Sequence, residues 1–525
     1  MTDMKLDPIR LSGWDFATWR SASEDPIMRS TMIGLLILDR DPDWDRLVDR
    51  YERASRVVPI LRQKIVEGPV RIANPRLVVD PDFDLSFHLR RFRMAAGADW
   101  EDVLDECRRQ SMTDFDRDRP LWRVTVLEGL PGGKAAVITK LHHAVADGQG
   151  ALQLGAALVD LSPEGMDLGP MPRAPRGEAI SQLSFAELMI RDNVDWLVRT
   201  AKEVAEAALP TAVAFLQDPA EAIARVGEIS SSVIRFARPP TAHLSPLMTS
   251  RSINYHYGAF QLPFGELRGA TKASGHSLND GYLAAVAEAM GEYHRRLGHP
   301  VGELNMNMPI SLRKSNDHAQ NAVSIAHFQI NTAEDDPIKL MDEVHRTVTA
   351  WRAEPALHLA DQLAEISRFI PFEVVSAAAT ASDVTASNVP GPPVQVYLAG
   401  AAVEQMVPLP PPIGAAVFVA LLTYNGEATI GVAMDDAAVG DRELLMECMR
   451  HGFEKITGKS IDSWDPLVGH GPRRAAAVKK APVKKAPAKK APAKKVTTKR
   501  AAAKKAPAKR AAAKKAPAKK ATAKK

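Results

Sequence analysis

The sequence predicts a mixed α/β (α+β) fold made of two bodies of similar size, followed by a basic tail that stays disordered. Three observations carry this reading. Residues 1–160 alternate helical and strand-like segments, residues 246–466 do so again, and residues 467–525 are dominated by Lys, Ala and Pro. A chain of 525 residues exceeds one ordinary domain, and its 45% hydrophobic and 25% charged content suits globular bodies with a sizeable core.

In the first body (1–160), Leu47, Tyr51, Val57, Val58 and Leu61 recur at helical spacing and predict a helix over 44–63. Residues 121–127 alternate as a strand, Pro131-Gly132-Gly133-Lys134 reads as a turn, and 135–142 as the return strand of a hairpin. Residues 161–245 form a connection, Pro/Gly/Met-rich at first and then helical over 184–237 with breaks at Pro210 and Pro219. Leu188, Ile190, Val194, Leu197 and Val204 can share one helix face. The mixed charges around them favour a packing helix over the alternative, an amphipathic helix facing a membrane. In the second body, helices are predicted at 264–273, 278–297 and 340–352, and a strand at 304–311. Residues 415–423 and 428–434 pair as a hairpin around Asn425-Gly426. The uncharged stretch 405–426 is broken by Val407-Pro408-Leu409-Pro410-Pro411-Pro412. It reads as a loop followed by a buried strand, not as a membrane span.

The net charge of +5 hides a division. Residues 473–525 hold 22 of the 68 basic residues and none of the 63 acidic ones, leaving the rest with 46 against 63, a net of −17. The high isoelectric point is therefore a property of the tail and does not mark the body as a nucleic-acid binder. Without aromatics and almost without large aliphatics, the tail cannot offset its ordering entropy. Its charges would bind polyanions by counterion release; an anionic membrane or lipid-body surface is the favoured target, with nucleic acid or simple solvation as alternatives. The N-terminus lacks an apolar h-region, which predicts a cytoplasmic protein, peripheral on the inner membrane face or lipid bodies if it meets lipid. Cys107 and Cys448 stand far apart outside any CxxC spacing, which excludes a disulfide framework and a Cys-based zinc site.

The segment Lys140-Leu141-His142-His143-Ala144-Val145-Ala146-Asp147-Gly148 carries the chemistry. Strand alternation puts Val137, Thr139, Leu141 and His143 on one face and His142 on the other, so the two histidines do different jobs. A tight turn follows, and Gly148-Gln149-Gly150 opens a helical run. Asp147 sits where it can cap that helix or reach back across the turn. A neutral imidazole can take a proton from a hydroxyl as it attacks an activated acyl carbon. No GxSxG serine accompanies it, so an acyl-enzyme route is not signalled. The plainer reading is a strand-end histidine pair with Asp147 as helix cap. A metal site is disfavoured, because adjacent histidines point apart, unlike the HExxH arrangement.

The run His142–Gly148 resembles the HHxxxDG signature of the bacterial wax ester synthase/diacylglycerol acyltransferase family. That family belongs to the superfamily that includes chloramphenicol acetyltransferase and condensation domains. Pro120-Leu121-Trp122, Asn279-Asp280, Pro309-Ile310-Ser311-Leu312-Arg313 with Asn321, and Ser387-Asn388-Val389-Pro390-Gly391-Pro392 resemble further family pieces in the same order. The likeness spans about residues 8–465. The opening Leu11-Ser12-Gly13-Trp14-Asp15 matches only loosely, and the lysine tail is no standard part of the family.

The resemblance implies two chloramphenicol-acetyltransferase-like domains with the active site in a tunnel between them. It implies fatty acyl-CoA as substrate, diacylglycerol or a long-chain alcohol as acceptor, and no cofactor or metal. His143 would be the general base, His142 supporting, Asp147 orienting the loop, and Asn279 a donor to the tetrahedral oxyanion. Gly148 would let backbone approach substrate. Pro120, Leu121 and Trp122 would be tunnel wall, and Ser387 and Asn388 would lie in a loop near the site. Asp280 would stand beside substrate, although its place at the start of the predicted helix 278–297 equally suits an N-terminal helix charge. The alternatives are a condensation-type transfer to another acceptor, or a weakly active lipid- or nucleic-acid-binding protein working through its tail.

Overall fold

Local chemistry sets the ends of the elements that build the site. The computed structural model describes residues 8–67, 74–146, 148–176, 242–311, 323–354 and 372–468, with a few positions between 187 and 202, all within the unit Met1–Pro472. The helix Trp44–Val57 starts on Asp43, whose side chain accepts from the Arg46 N–H, and buries Leu47, Tyr51 and Ala54 on one face. It is shorter than the predicted 44–63. Pro59 lacks the N–H that would continue it and opens a 3₁₀ turn, after which Gln63 begins a strand.

The strands in the first half are β1 (Ile9–Arg10), β2 (Thr31–Leu38), β3 (Gln63–Val66), β4 (Arg76–Val79), β5 (Leu89–Arg93), β6 (Trp122–Glu128) and β7 (Ala135–His142). Those of the second half are β8 (Tyr255–Pro263), β9 (Glu303–Ser311), β10 (Val323–Asn331), β11 (Val384–Pro390), β12 (Tyr397–Leu398), β13 (Ala401–Leu409), β14 (Val417–Tyr424) and β15 (Glu427–Asp435). They form two six-stranded mixed sheets, β12-β13-β2-β7-β6-β5 and β10-β9-β11-β14-β15-β8, and a small sheet β1-β4-β3. The hairpins β6–β7 and β14–β15 form where predicted. In the second, Tyr424 pairs with Glu427 and leaves Asn425 and Gly426, both at positive φ, as a two-residue turn.

Two segments differ from the sequence reading. Val407–Leu409 are strand, not loop: β13 crosses over from the second half and pairs antiparallel with β2, Leu409 opposite Ile33. Its other neighbour, β12, reaches only Ala401 and Ala402, so Pro408 stands where the strand is open on one side and a missing N–H can be accommodated. Ser387–Pro390 likewise end strand β11, parallel to β14 with Ser387 opposite Ala420. Gly391 and Pro392 leave it, Gly391 at a place where a Cβ would strike the Thr423 carbonyl.

The first sheet is buried on both faces. Trp122, Val124, Val137 and Leu141 belong to one apolar cluster, and Ile33, Leu35, Ile37 and Ile138 to another that packs on Val103, Leu104 and Cys107 of the helix Trp100–Met112. A third cluster surrounds the helix Leu278–Arg296, which is buried along most of its length. Both cysteines are free and buried. The sheets touch where β13 passes β15, since a Cβ at Gly431 would collide with the Pro408 carbonyl. Among the described residues no helix is long and apolar enough to cross a membrane.

Candidate active site

Strand β7 delivers the two histidines. It is clamped between β2, with Thr31 opposite His142, and β6, with Trp122 opposite Leu141. The strand ends at His142, and the His143 N–H is bonded to the Ser30 carbonyl at 2.8 Å as the chain turns. Side chains keep the strand's phase through that turn. Thr139, Leu141 and His143 line a cavity, whereas His142 enters the opposite side and is buried.

His142 is held in one state. Its ring meets Trp19 edge-on at 5.5 Å and Phe115 at 5.9 Å, and its Nδ1 accepts the Ala144 N–H at 3.1 Å. Burial, and then the charge of His143, lower its pKa to about 3. A neutral, enclosed ring cannot exchange protons with substrate; it braces the turn that presents His143. Behind it Lys140, also buried, donates to the Thr113 carbonyl at 2.6 Å and lies 4.3 Å from the centre of the Phe115 ring. Burial pushes its pKa down to about 8. Lys140 thereby ties down the segment that seats Phe115 against His142. Its role escaped the sequence reading, although a lysine inside an apolar strand was a visible signal.

The cavity measures about 560 Å³, within the usual range for ligand sites. β2, β6, β7 and β13 of the first sheet form one wall, β11 and β14 of the second sheet another, and the helix Gly148–Ala156 a third. No charged side chain lines it among the described residues; polar side chains come only from Tyr51, Trp122, Thr139, His143 and Ser387. Tyr51 is hydrogen-bonded to Thr139. The Trp122 indole N–H donates to the Leu61 carbonyl at 2.8 Å, and its ring stacks on Tyr51 and on His88, 4.3 Å away. With their polar groups engaged by protein, these rings serve as apolar wall. Leu161, Met166 and Val394 line the cavity and are also 66%, 51% and 51% exposed, so the cavity opens at an apolar rim. Arginines of the helix Trp44–Val57 hold the chain behind that rim: Arg46 donates to the carbonyls of Pro163 and Glu164, and Arg53 to those of Leu168 and Pro170.

The other expected residues fall unevenly around this site. Pro120 and Leu121 are buried behind Trp122, where the Leu121 carbonyl accepts the His142 N–H at 3.1 Å. Ser387 lines the cavity, while Asn388, one step along β11, does not. Gly148 begins the helix Gly148–Ala156. Asn279 is not a lining residue; its amide lies 3.7 Å from the Met308 sulfur. Asp280 is buried in a capping box, accepting the Ser277 N–H at 2.9 Å while the Ser277 hydroxyl accepts its own N–H. It also meets His345 at 3.0 Å, so its described contacts are those of a helix terminus. Asp147, Arg313, Asn321, most of 184–237 and the tail lie outside the described residues. The contributions of Tyr51 and Phe418 to the cavity went unread, because both look like ordinary core residues. Among the described residues no group of three or more His, Cys, Asp or Glu could hold a metal ion.

Comparison with known proteins gives this geometry a family. Residues 11–282 match the wax ester synthase/diacylglycerol acyltransferase catalytic domain, and residues 319–457 the C-terminal domain of the same family. A Mycobacterium tuberculosis protein provisionally named as a diacylglycerol O-acyltransferase is 34% identical over 440 residues, 82% of this chain and 88% of the relative. A second protein of that species with such a name is 26% identical over 454 residues, 82% and 92% of the two chains. Among solved structures, the wax ester synthase/diacylglycerol acyltransferase from Marinobacter aquaeolei VT8 superposes with a TM-score of 0.56 at 19% identity, over 86% of this chain and 100% of that one. The first condensation domain of the CDA synthetase superposes with a TM-score of 0.58 at 14% identity, over 86% and 96%. At such identities these two matches speak for the fold: two mixed sheets facing one another. The chain belongs to the wax ester synthase/diacylglycerol acyltransferase family and is an acyltransferase.

Proposed function

We propose that this acyltransferase moves a long-chain fatty acyl group from acyl-CoA to the hydroxyl of diacylglycerol or a long-chain alcohol, with His143 as general base. The observation that carries the reading is the placement of the His143 imidazole on the wall of a cavity otherwise suited to hydrocarbon. The relatives' names support diacylglycerol as acceptor, and the Marinobacter enzyme's name supports both acceptors. Neutral His143 takes the acceptor's proton as the hydroxyl oxygen bonds to the thioester carbon. The tetrahedral oxyanion then collapses, the carbon–sulfur bond breaks, and the CoA thiolate recovers the proton from the imidazolium. Asp147 is the proposed brace of the His143 loop; Asn279, whose amide rests against the Met308 sulfur outside the cavity wall, is the proposed oxyanion donor once its side chain turns toward the thioester.

The apolar rim of Leu161, Met166 and Val394 supports work at a lipid surface, and the 22 positive charges of residues 473–525 support anionic lipid as that surface. Co-sedimentation of the full chain and of residues 1–472 with anionic vesicles and with DNA, across salt concentrations, separates lipid from nucleic acid as the tail's target. The central test supplies palmitoyl-CoA with diacylglycerol or hexadecanol and follows CoA release and ester formation. His143→Ala abolishes turnover and Asn279→Ala slows it about 10²–10³-fold. A His143→Ala enzyme with wild-type turnover overturns the mechanism.

A further inference from the structure

Cations gather at the outer edge of the first sheet, away from the cavity. On β6, Trp122 and Val124 line the cavity, so Arg123 between them points to the other face. Beside it, β5 is the last strand of the sheet. Three guanidinium groups surround one ring there, with the Cζ atoms of Arg123, Arg119 and Arg90 lying 5.0, 5.8 and 6.0 Å from the centre of Phe87.

Compensation for these charges is incomplete. Arg119 has Asp80 at 3.4 Å, whereas among the described residues neither Arg90 nor Arg123 has a carboxylate within ion-pair distance. The Arg123 Nε–H is buried and without a hydrogen-bond partner. Burial, and then the like charge of Arg90, lower the basicity of Arg123, while Asp116 acts on it only at longer range. The neighbours on β5 show the contrast: Arg91 and Arg93 both face Glu128, at 3.9 and 3.6 Å. In a body of net charge −17, like charges held together with unused donors mark a place for an anion.

We propose that Arg90, Arg119 and Arg123 form a phosphate-binding site outside the catalytic cavity. Planar guanidinium forks suit the oxygens of a phosphate ester. Phe92, 52% exposed on the same strand, adds apolar surface beside the anion. Two sources carry that chemistry here: the nucleotide end of CoA and the headgroup of a phospholipid. Arg123 pairs with Lys140, three residues before His143, so the backbone of the site stands about 10 Å along the strand from the proposed base, with its side chains on the other face of the sheet. Only the CoA source rests on the proposed function; the lipid source does not.

The test uses the full chain as wild type, Arg90→Ala, Arg123→Gln and, as control, Arg91→Ala. Calorimetry measures binding of CoA in one arm and of soluble dihexanoylphosphatidylglycerol in the other, so no arm depends on turnover or on His143. The expected result is an about tenfold loss of affinity for one of the two ligands in both site variants, the loss of one charge-assisted bond, with Arg91→Ala unchanged. The arm that moves names the source. Arg90 is exposed, so Arg90→Ala reports even if Arg123→Gln fails to fold. Affinities within twofold of wild type in both arms, or an equal loss in Arg91→Ala, would overturn the site.

Discussion

Lowering the pH from 7 to 5 should weaken the fold by an amount traceable to His142. Its imidazole is enclosed by Trp19 and Phe115, and burial sets its pKa at about 3, against about 6.5 in the unfolded chain. The folded state refuses a proton that the unfolded chain accepts below about pH 6.5. The stability contributed by neutral His142 is therefore fully present above that pH and drains away as the pH falls toward 3. Between pH 7 and 5 the loss attributable to this one ring is about 2 kcal/mol. The next unit, to pH 4, removes about 1.4 kcal/mol more, and the slope then flattens as the folded ring itself begins to take up the proton near pH 3. The comparison protein is His142→Asn, whose side-chain oxygen can replace Nδ1 as acceptor for the Ala144 N–H. Lost packing shifts the variant's stability equally at both pH values. His88 and His327, each also lowered to about 4 by burial, respond to acid equally in both proteins and cancel. Urea titrations followed by tryptophan fluorescence at pH 7 and 5 measure the difference. Wild type should lose about 2 kcal/mol more than His142→Asn. An equal loss would mean that His142 is hydrated or charged in the folded protein, and the account of it as a neutral brace would fail.

Three further outcomes follow from the packing. Gly431→Ala forces a methyl group into the Pro408 carbonyl where the two sheets touch, and should cost about 1–3 kcal/mol or more, read as a fall in Tm. Lys140→Met removes the bond to the Thr113 carbonyl, which lies on an exposed residue where water can replace the donor, a cost of about 0.5–1.5 kcal/mol. It should also lower kcat more than it raises KM, because the loss acts through Phe115 and His142 on the His143 turn. Leu161→Glu with Met166→Glu puts carboxylates on the cavity rim and should raise KM for hexadecanol while leaving KM for a short soluble alcohol near wild type. Equal changes for both alcohols would refute the rim as the route for hydrocarbon.

Much of the site was legible because its signals are local. The alternation of 135–142 separated His143 from His142 without knowledge of any partner strand, since successive side chains of a strand point to opposite faces. Asn425-Gly426 announced its hairpin through the positive φ that such a turn demands. Asp280, legible as a charge at the start of the helix 278–297, stands at that start, where the structure adds its capping box with Ser277.

What the sequence alone determined is therefore the strand phase, the helix starts, the division of charge between body and tail, and the motif that points to a family. What only the tertiary structure decided is which elements share a wall. The Pro-rich run before Pro410 became strand because β2 offered it an edge, and Ser387–Pro390 became strand because β14 did. Tyr51 and Phe418 became cavity wall through long-range packing that no local pattern encodes, whereas Trp122 was already expected there from the motif. Periodicity reports which face of an element is apolar. It does not report what that face meets, since burial stabilises any well-packed apolar neighbour equally well.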